Sequence, residues 1–177
     1  MNQQGKTLKT GATPLRSAAA GLDRSALDRH VLLMHQIMLS DRRRMDIYAQ
    51  ALAAAIAPGD VVVDVGAGTL ALSLLALEAG AGHVYAIEAD AHLAALAYEI
   101  AADNKLTDRV TVLCGDARAV DLPSAADVIV SEMMGNLGPE EEMAEVLCLV
   151  ADRCLKPGGR MVPARLVTAL QAINLNG

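Results

Sequence analysis

The sequence predicts an α/β protein, a doubly wound and mostly parallel sheet with helices before it. Three observations carry that expectation. Short β-branched runs alternate with Ala- and Leu-rich stretches of helical length, as in parallel strands joined by crossover helices. Each run ends in glycine, an acid or both, so every strand turns at the same end. With 177 residues, 53% hydrophobic and 20% charged, the chain has the material for one buried core and too little charge for global disorder.

Residues 1–22 are rich in Lys, Thr, Gly, Gln and Ser, with Pro14, and read as a flexible arm. The segment 23–58 reads as two helices. Asp23 or Ser25 caps one that runs to about Met38; Ser40 or Asp41 caps a second over 42–56, which Pro58-Gly59 ends. The sheet domain spans 59–164. Its strands are expected at 61–65, 83–88, 109–114 and 127–131, and its helices at 69–79, 91–104 and 140–155. Lys156-Pro157-Gly158-Gly159 stops the last helix. Residues 160–163 and 166–173 look extended, and 165–177 read as the start of a further β segment, as if the chain were truncated there.

Composition narrows the function. With no Phe, no Trp and three Tyr, Ala, Leu and Val must fill the interior. A net charge of −6 and a pI near 5.1 give no general attraction to nucleic acid or to an anionic membrane, whereas a cationic substrate fits. Arg42-Arg43-Arg44 is the only basic run. Cys114, Cys148 and Cys154 lack metal or CxxC spacing, and no signal peptide or membrane span stands out, so a reducing, cytoplasmic setting is expected.

The chemistry gathers at the strand ends. Val61-Val62-Val63-Asp64-Val65-Gly66-Ala67-Gly68-Thr69 is a strand, a tight turn and a helix start, and Gly66 and Gly68 let backbone pass close to a ligand. Gly66-x-Gly68-x-x-Ala71 also satisfies a dinucleotide pattern, and Glu88, at the end of the next strand, suits the ribose hydroxyls of any adenosine. Three features favour S-adenosyl-L-methionine over NAD. Asp64 would repel a pyrophosphate but suits the cationic methionine end of the donor. Gly115-Asp116-Ala117 follows the third strand, where an adenine amino group is held. Ser131-Glu132 follows the fourth, so Asp64, Glu88, Asp116 and Glu132 should ring one crevice. No cluster calls for a metal.

Two segments resemble the protein arginine methyltransferase family, a likeness covering about residues 28–168. His35-Gln36-Ile37-Met38-Leu39-Ser40-Asp41-Arg42-Arg43-Arg44, with Tyr48, is similar to its segment before the first strand. The resemblance implies that Arg44 grips the donor carboxylate through two parallel hydrogen bonds and that His35 lines the same pocket. Ser131 to Met143 resembles the family's double-glutamate loop, in which Glu132 and Glu141 would clamp a guanidinium, with Met38 and Met143 packed beside the target side chain. Leu70 stands where the family has Gly, Met133 and Asn136 replace its loop aromatics, and Arg118 replaces its adenine-contacting Glu, which leaves that contact to Asp116. The family continues into a β-barrel that carries a further His and a dimerisation arm; that barrel is expected to be absent from this chain, and homodimerisation stays open.

The expected function is therefore N-methylation of a guanidino or amino group, on an arginine-like metabolite or a protein arginine, with the chain's own carboxylates as the catalytic groups. A methyltransferase with an unrelated acceptor, an inactive donor-binding module and a nicotinamide oxidoreductase are the alternatives.

Overall fold

A computed structural model describes residues 13–14, 29–134 and 142–171. The elements in chain order are β1 (Thr13–Pro14), α1 (Arg29–Ser40), α2 (Arg42–Ala55), β2 (Val61–Val65), α3 (Ala71–Glu78), β3 (His83–Glu88), α4 (Ala91–Asp103), β4 (Val110–Cys114), β5 (Ala126–Ser131), α5 (Met143–Cys154) and β6 (Leu155–Val162). They form one sheet of order β1-β4-β3-β2-β5-β6. All pairings from β4 to β6 are parallel, and β1 joins the β4 edge antiparallel. The chain winds outward from β2 through β3 to β4, then returns to the other side of β2 for β5 and β6. Ligands of such sheets bind where that direction reverses, at the carboxyl ends of the strands.

Alternation along the strands divides the core into two layers. Val62, Val84, Val112, Val128 and Val130 face Leu52 of α2, Leu72 and Ala76 of α3, and Ala94 and Ala97 of α4. Val63, Val65, Ile87, Leu113 and Ile129 face Met143, Leu147 and Val150 of α5. Both faces are thus covered, which is why the strands read as nearly continuous apolar runs. The interior is built from aliphatic side chains, and small alanines let α4 lie close to the sheet.

The helix boundaries follow local chemistry. Asp41 accepts the Arg44 backbone N–H at 3.1 Å and starts α2. Asp90 accepts those of His92 and Leu93 at 2.8 and 2.9 Å and starts α4. Two differences from expectation have physical causes. α3 begins at Ala71 rather than 69 because Leu70 has φ +66°, a left-handed conformation that cannot sit inside a helix. β6 begins at Leu155, so Lys156-Pro157-Gly158-Gly159 ends α5 but lies within an edge strand, where a register shift opposite residues 126–128 absorbs it. Residues 13–14, expected in a flexible arm, pair with β4. No strand forms over 166–171, where Leu166, Val167 and Leu170 are exposed. Among the described residues no helix is long and apolar enough to cross a membrane.

Candidate active site

The turn after β2 divides the carboxyl edge of the sheet into two hollows. Gly66 lines both. The first encloses about 500 Å³ of empty space, mouth included, between the glycine turn, α1 and α2. His35, Met38, Arg44, Tyr48, Asp64, Thr69 and Glu132 are on its wall. The second lies toward β3 and β4, walled by Glu88, Gly115, Asp116, Ala117, Arg118, Met133 and Glu142. The expected ring of four acids is therefore present as two pairs, Asp64 with Glu132 and Glu88 with Asp116.

Gly66 and Gly68 have φ values of +73° and +50°; a side chain at Gly68 would collide, and one at Gly66 would crowd the Met133 side chain. A Cβ on Gly68 would come within 2.5 Å of His35 Cε1, and one on Gly66 within 3.0 Å of Met133 Cγ. The imidazole of α1 thus closes over the turn, and only glycine admits it.

Asp64 is fully buried. Its Oδ2 accepts the Ser73 hydroxyl at 2.7 Å, while Oδ1 has no partner, the only such buried side-chain atom among the described residues. Burial pushes its carboxyl up to about 6, against the opposing effect of Ser73. Asp64 borders the first hollow, and a buried carboxylate oxygen without a partner suits a cation or a hydrogen-bond donor. Ser73 was not expected to matter; the sole polar residue on the inner face of an otherwise apolar helix was its signal.

Glu88 is oriented by backbone. Its Oε2 accepts the Gly68 N–H at 2.8 Å and its Oε1 that of Asp90 at 2.9 Å, which leaves further lone pairs on each oxygen for a ligand. Asp116 is at the outer rim and about half exposed. Its oxygens receive the Arg118 backbone N–H and guanidinium, at 2.8 to 3.0 Å, and that partner holds the carboxyl below its ordinary range. Arg118 also reaches Glu142 at 3.3 Å. The arginine that replaces the expected glutamate therefore occupies the carboxylate that was to take over its contact.

Arg44 stands at the mouth of the first hollow, its Nη1 3.5 Å from Glu132 Oε2 and its Nε 3.7 Å from Asp41 Oδ2. Met38 lines the same hollow. Met143 does not: it is packed into the layer beneath α5 with Val63, Val65 and Ile87, because the first turn of α5 points that residue at the sheet. Glu141 lies outside the described residues.

A parallel sheet with this order, and a crevice split by a glycine turn, defines a Rossmann-like α/β protein. The chain belongs to the methyltransferase domain family, whose sequence model matches residues 62–159. It is 43% identical over 134 residues to a probable histone-arginine methyltransferase CARM1 of rice, covering 75% of this chain and 25% of that protein. Among solved structures it is similar to Arabidopsis thaliana protein arginine methyltransferase 10, with TM-score 0.69 and 38% identity, covering 74% of this chain and 38% of that one. It is also similar to the Trypanosoma brucei PRMT1 enzyme-prozyme heterotetrameric complex with AdoHcy, with TM-score 0.67 and 33% identity, covering 72% and 41%. The chain thus spans about a quarter of that curated relative and about two fifths of those solved chains.

Proposed function

We propose that the chain is the donor-binding core of an S-adenosyl-L-methionine-dependent N-methyltransferase acting on a guanidino group, with protein arginine as the favoured acceptor. The observation that carries this reading is the placement of Arg44 and Glu132 3.5 Å apart above the glycine turn and the unpartnered Asp64 oxygen. One hollow then offers a cation for a carboxylate, an anion for an ammonium and a second anion facing outward for a cationic acceptor. The relatives named as arginine methyltransferases, and the AdoHcy of the similar Trypanosoma brucei complex, support the same choice.

The residues fit the donor. Arg44 would hold its carboxylate, Asp64 its ammonium, and Glu88 its ribose hydroxyls, with His35 and the two glycines shaping the turn between the hollows and Asp116 and Ala117 bordering the base. S-adenosyl-L-methionine supplies a methyl group activated on a sulfonium. The chain supplies orientation and charge. Glu132, 17% exposed, is placed to accept N–H bonds from a guanidinium and to turn one nitrogen inward. Glu141 is proposed as its partner, drawing positive charge to the nitrogen that does not react. Met38 lies beside that path, and Met143 would act only as packing for α5. In this reading residues 23–58 form the cover of the donor, 59–164 its sheet domain, 1–22 an arm and 165–177 a further segment. The three free cysteines fit a reducing, cytoplasmic setting.

Calorimetric titration with S-adenosylmethionine, S-adenosylhomocysteine and NAD, followed by transfer of labelled methyl to an arginine-containing peptide, tests the reading. Both sulfur ligands should bind and NAD should not. Glu132→Gln should cut turnover at least ~10²-fold and change donor affinity by no more than a few fold. Tight NAD binding, or full activity in that variant, would overturn it.

A further inference from the structure

A buried hydrogen-bond chain runs beside this site. Tyr48 follows Arg44 by one helical turn on α2, so the two side chains leave the same face. The Tyr48 hydroxyl donates to the Ser131 carbonyl oxygen at 3.2 Å, and the Ser131 hydroxyl donates to the Val65 carbonyl oxygen at 2.8 Å. Ser131 is wholly buried and Tyr48 nearly so. The Ser131 carbonyl belongs to the peptide unit that leads into Glu132. The Val65 carbonyl belongs to the one that leads into Gly66. Helix α2, the exit of β5 and the glycine turn are thus tied together at one serine.

A second link from α2 to this segment is the ion pair from Arg44 to Glu132, longer and partly exposed at 3.5 Å. In the proposed reading Arg44 must also grip the donor carboxylate, so its hold on Glu132 is shared. The Tyr48 bond is buried, and its hydroxyl is committed to the Ser131 carbonyl although the ring borders the same hollow. Burial, and next the charge of Glu132, push the phenol well above its ordinary range, so the hydroxyl keeps the proton it donates.

We propose that Tyr48 is a positioning residue: through the Ser131–Glu132 peptide it holds the Glu132 carboxylate in line with the donor that Arg44 anchors. The inference rests on the functional reading above. Its physical basis is that removing the hydroxyl takes a donor away from a buried carbonyl, and that small displacements of a polar group at a reacting centre lower rate far more than binding.

Tyr48→Phe removes the hydroxyl and keeps the ring. Titration with S-adenosylhomocysteine should give an affinity within about threefold of the wild type, while kcat for labelled methyl transfer to an arginine-containing peptide falls ~10-fold or more. In a Glu132→Gln background the same change should cost less than about twofold, because the group it positions is already gone. A role in stability alone would lower donor affinity and turnover together, and the losses would multiply in the double variant. Either that pattern or full turnover in Tyr48→Phe overturns the inference and leaves the functional reading intact. A wild-type chain that binds neither sulfur ligand and transfers no methyl group overturns the reading itself, and the inference with it.

Discussion

At the scale of single residues, the three consecutive arginines show how position decides role. Arg42 and Arg43 are exposed on the first turn of α2, whereas Arg44 is turned toward the hollow and reaches Glu132 and Asp41. The 3.6-residue period alone cannot choose among neighbours in sequence; the cap at Asp41, which fixes where the helix begins, does. A bidentate, charge-assisted contact contributes about 1.5–3 kcal/mol, and an exposed charge ~0–1. Arg44→Ala should therefore weaken S-adenosylhomocysteine binding by ~10- to 100-fold. Arg42→Ala should change it by less than about fivefold. Calorimetry on the two variants checks this, and equal losses would dissociate Arg44 from the donor carboxylate.

At the scale of elements, β2 and β3 coincide with their expected limits, because β-branched runs closed by glycine or an acid leave little choice of boundary. The failures lie where backbone conformation is not written in residue type. Leu70 adopts φ +66° although its side chain is buried in the core, so packing outweighs the cost of a left-handed turn that the family meets with glycine. β6 contains a proline and two glycines that break a regular strand but not an edge strand with a register shift. The positions of Glu132, Arg44 and Asp64 followed from strand ends and the family resemblance. Ser73, the Tyr48–Ser131 bond and the burial of Met143 depend on contacts between distant elements that no local pattern encodes. One element offers a direct test. Beyond the end of α4 and its cap Asn104, Lys105 lies in the left-handed region at φ +57°, its N–H bonded to the Ala102 carbonyl and that of Leu106 to the Ala101 carbonyl. This is the glycine-favouring helix stop, occupied here by an exposed lysine. Lys105→Gly should stabilise the chain by about 1 kcal/mol, the strain of one left-handed residue, visible as a higher Tm; a lower Tm would place Lys105 in an unrecognised contact.

At the scale of the whole molecule, the sheet, the glycine turn and α3 together bury one carboxylate without a full set of partners, and that couples protons, stability and ligand. The Asp64 carboxyl titrates near 6 in the folded chain, against 3.8 for the ordinary group, chiefly because it is buried. The folded state therefore binds this proton more tightly than the unfolded state does. Its contribution to stability is most favourable below about pH 4 and is lost as pH rises to about 6, above which it stays constant. A cation beside Oδ1 acts in the opposite direction: it favours the ionised carboxylate, so binding displaces the proton. Affinity for S-adenosylhomocysteine, which carries the ammonium but no sulfonium, should rise by up to ~10-fold per pH unit between about pH 5 and 6 and then level off. S-adenosylmethionine should follow the same curve if the ammonium is the partner. A steeper dependence for S-adenosylmethionine alone would move the contact to the sulfonium. Asp64→Asn keeps the shape and an acceptor for Ser73 but cannot ionise. Its free form should melt higher than the wild type at pH 7.5, bind both ligands more weakly there, and show no rise in affinity between pH 5 and 6. An unchanged pH profile in Asp64→Asn would mean that another group in the hollow carries the charge that meets the ligand.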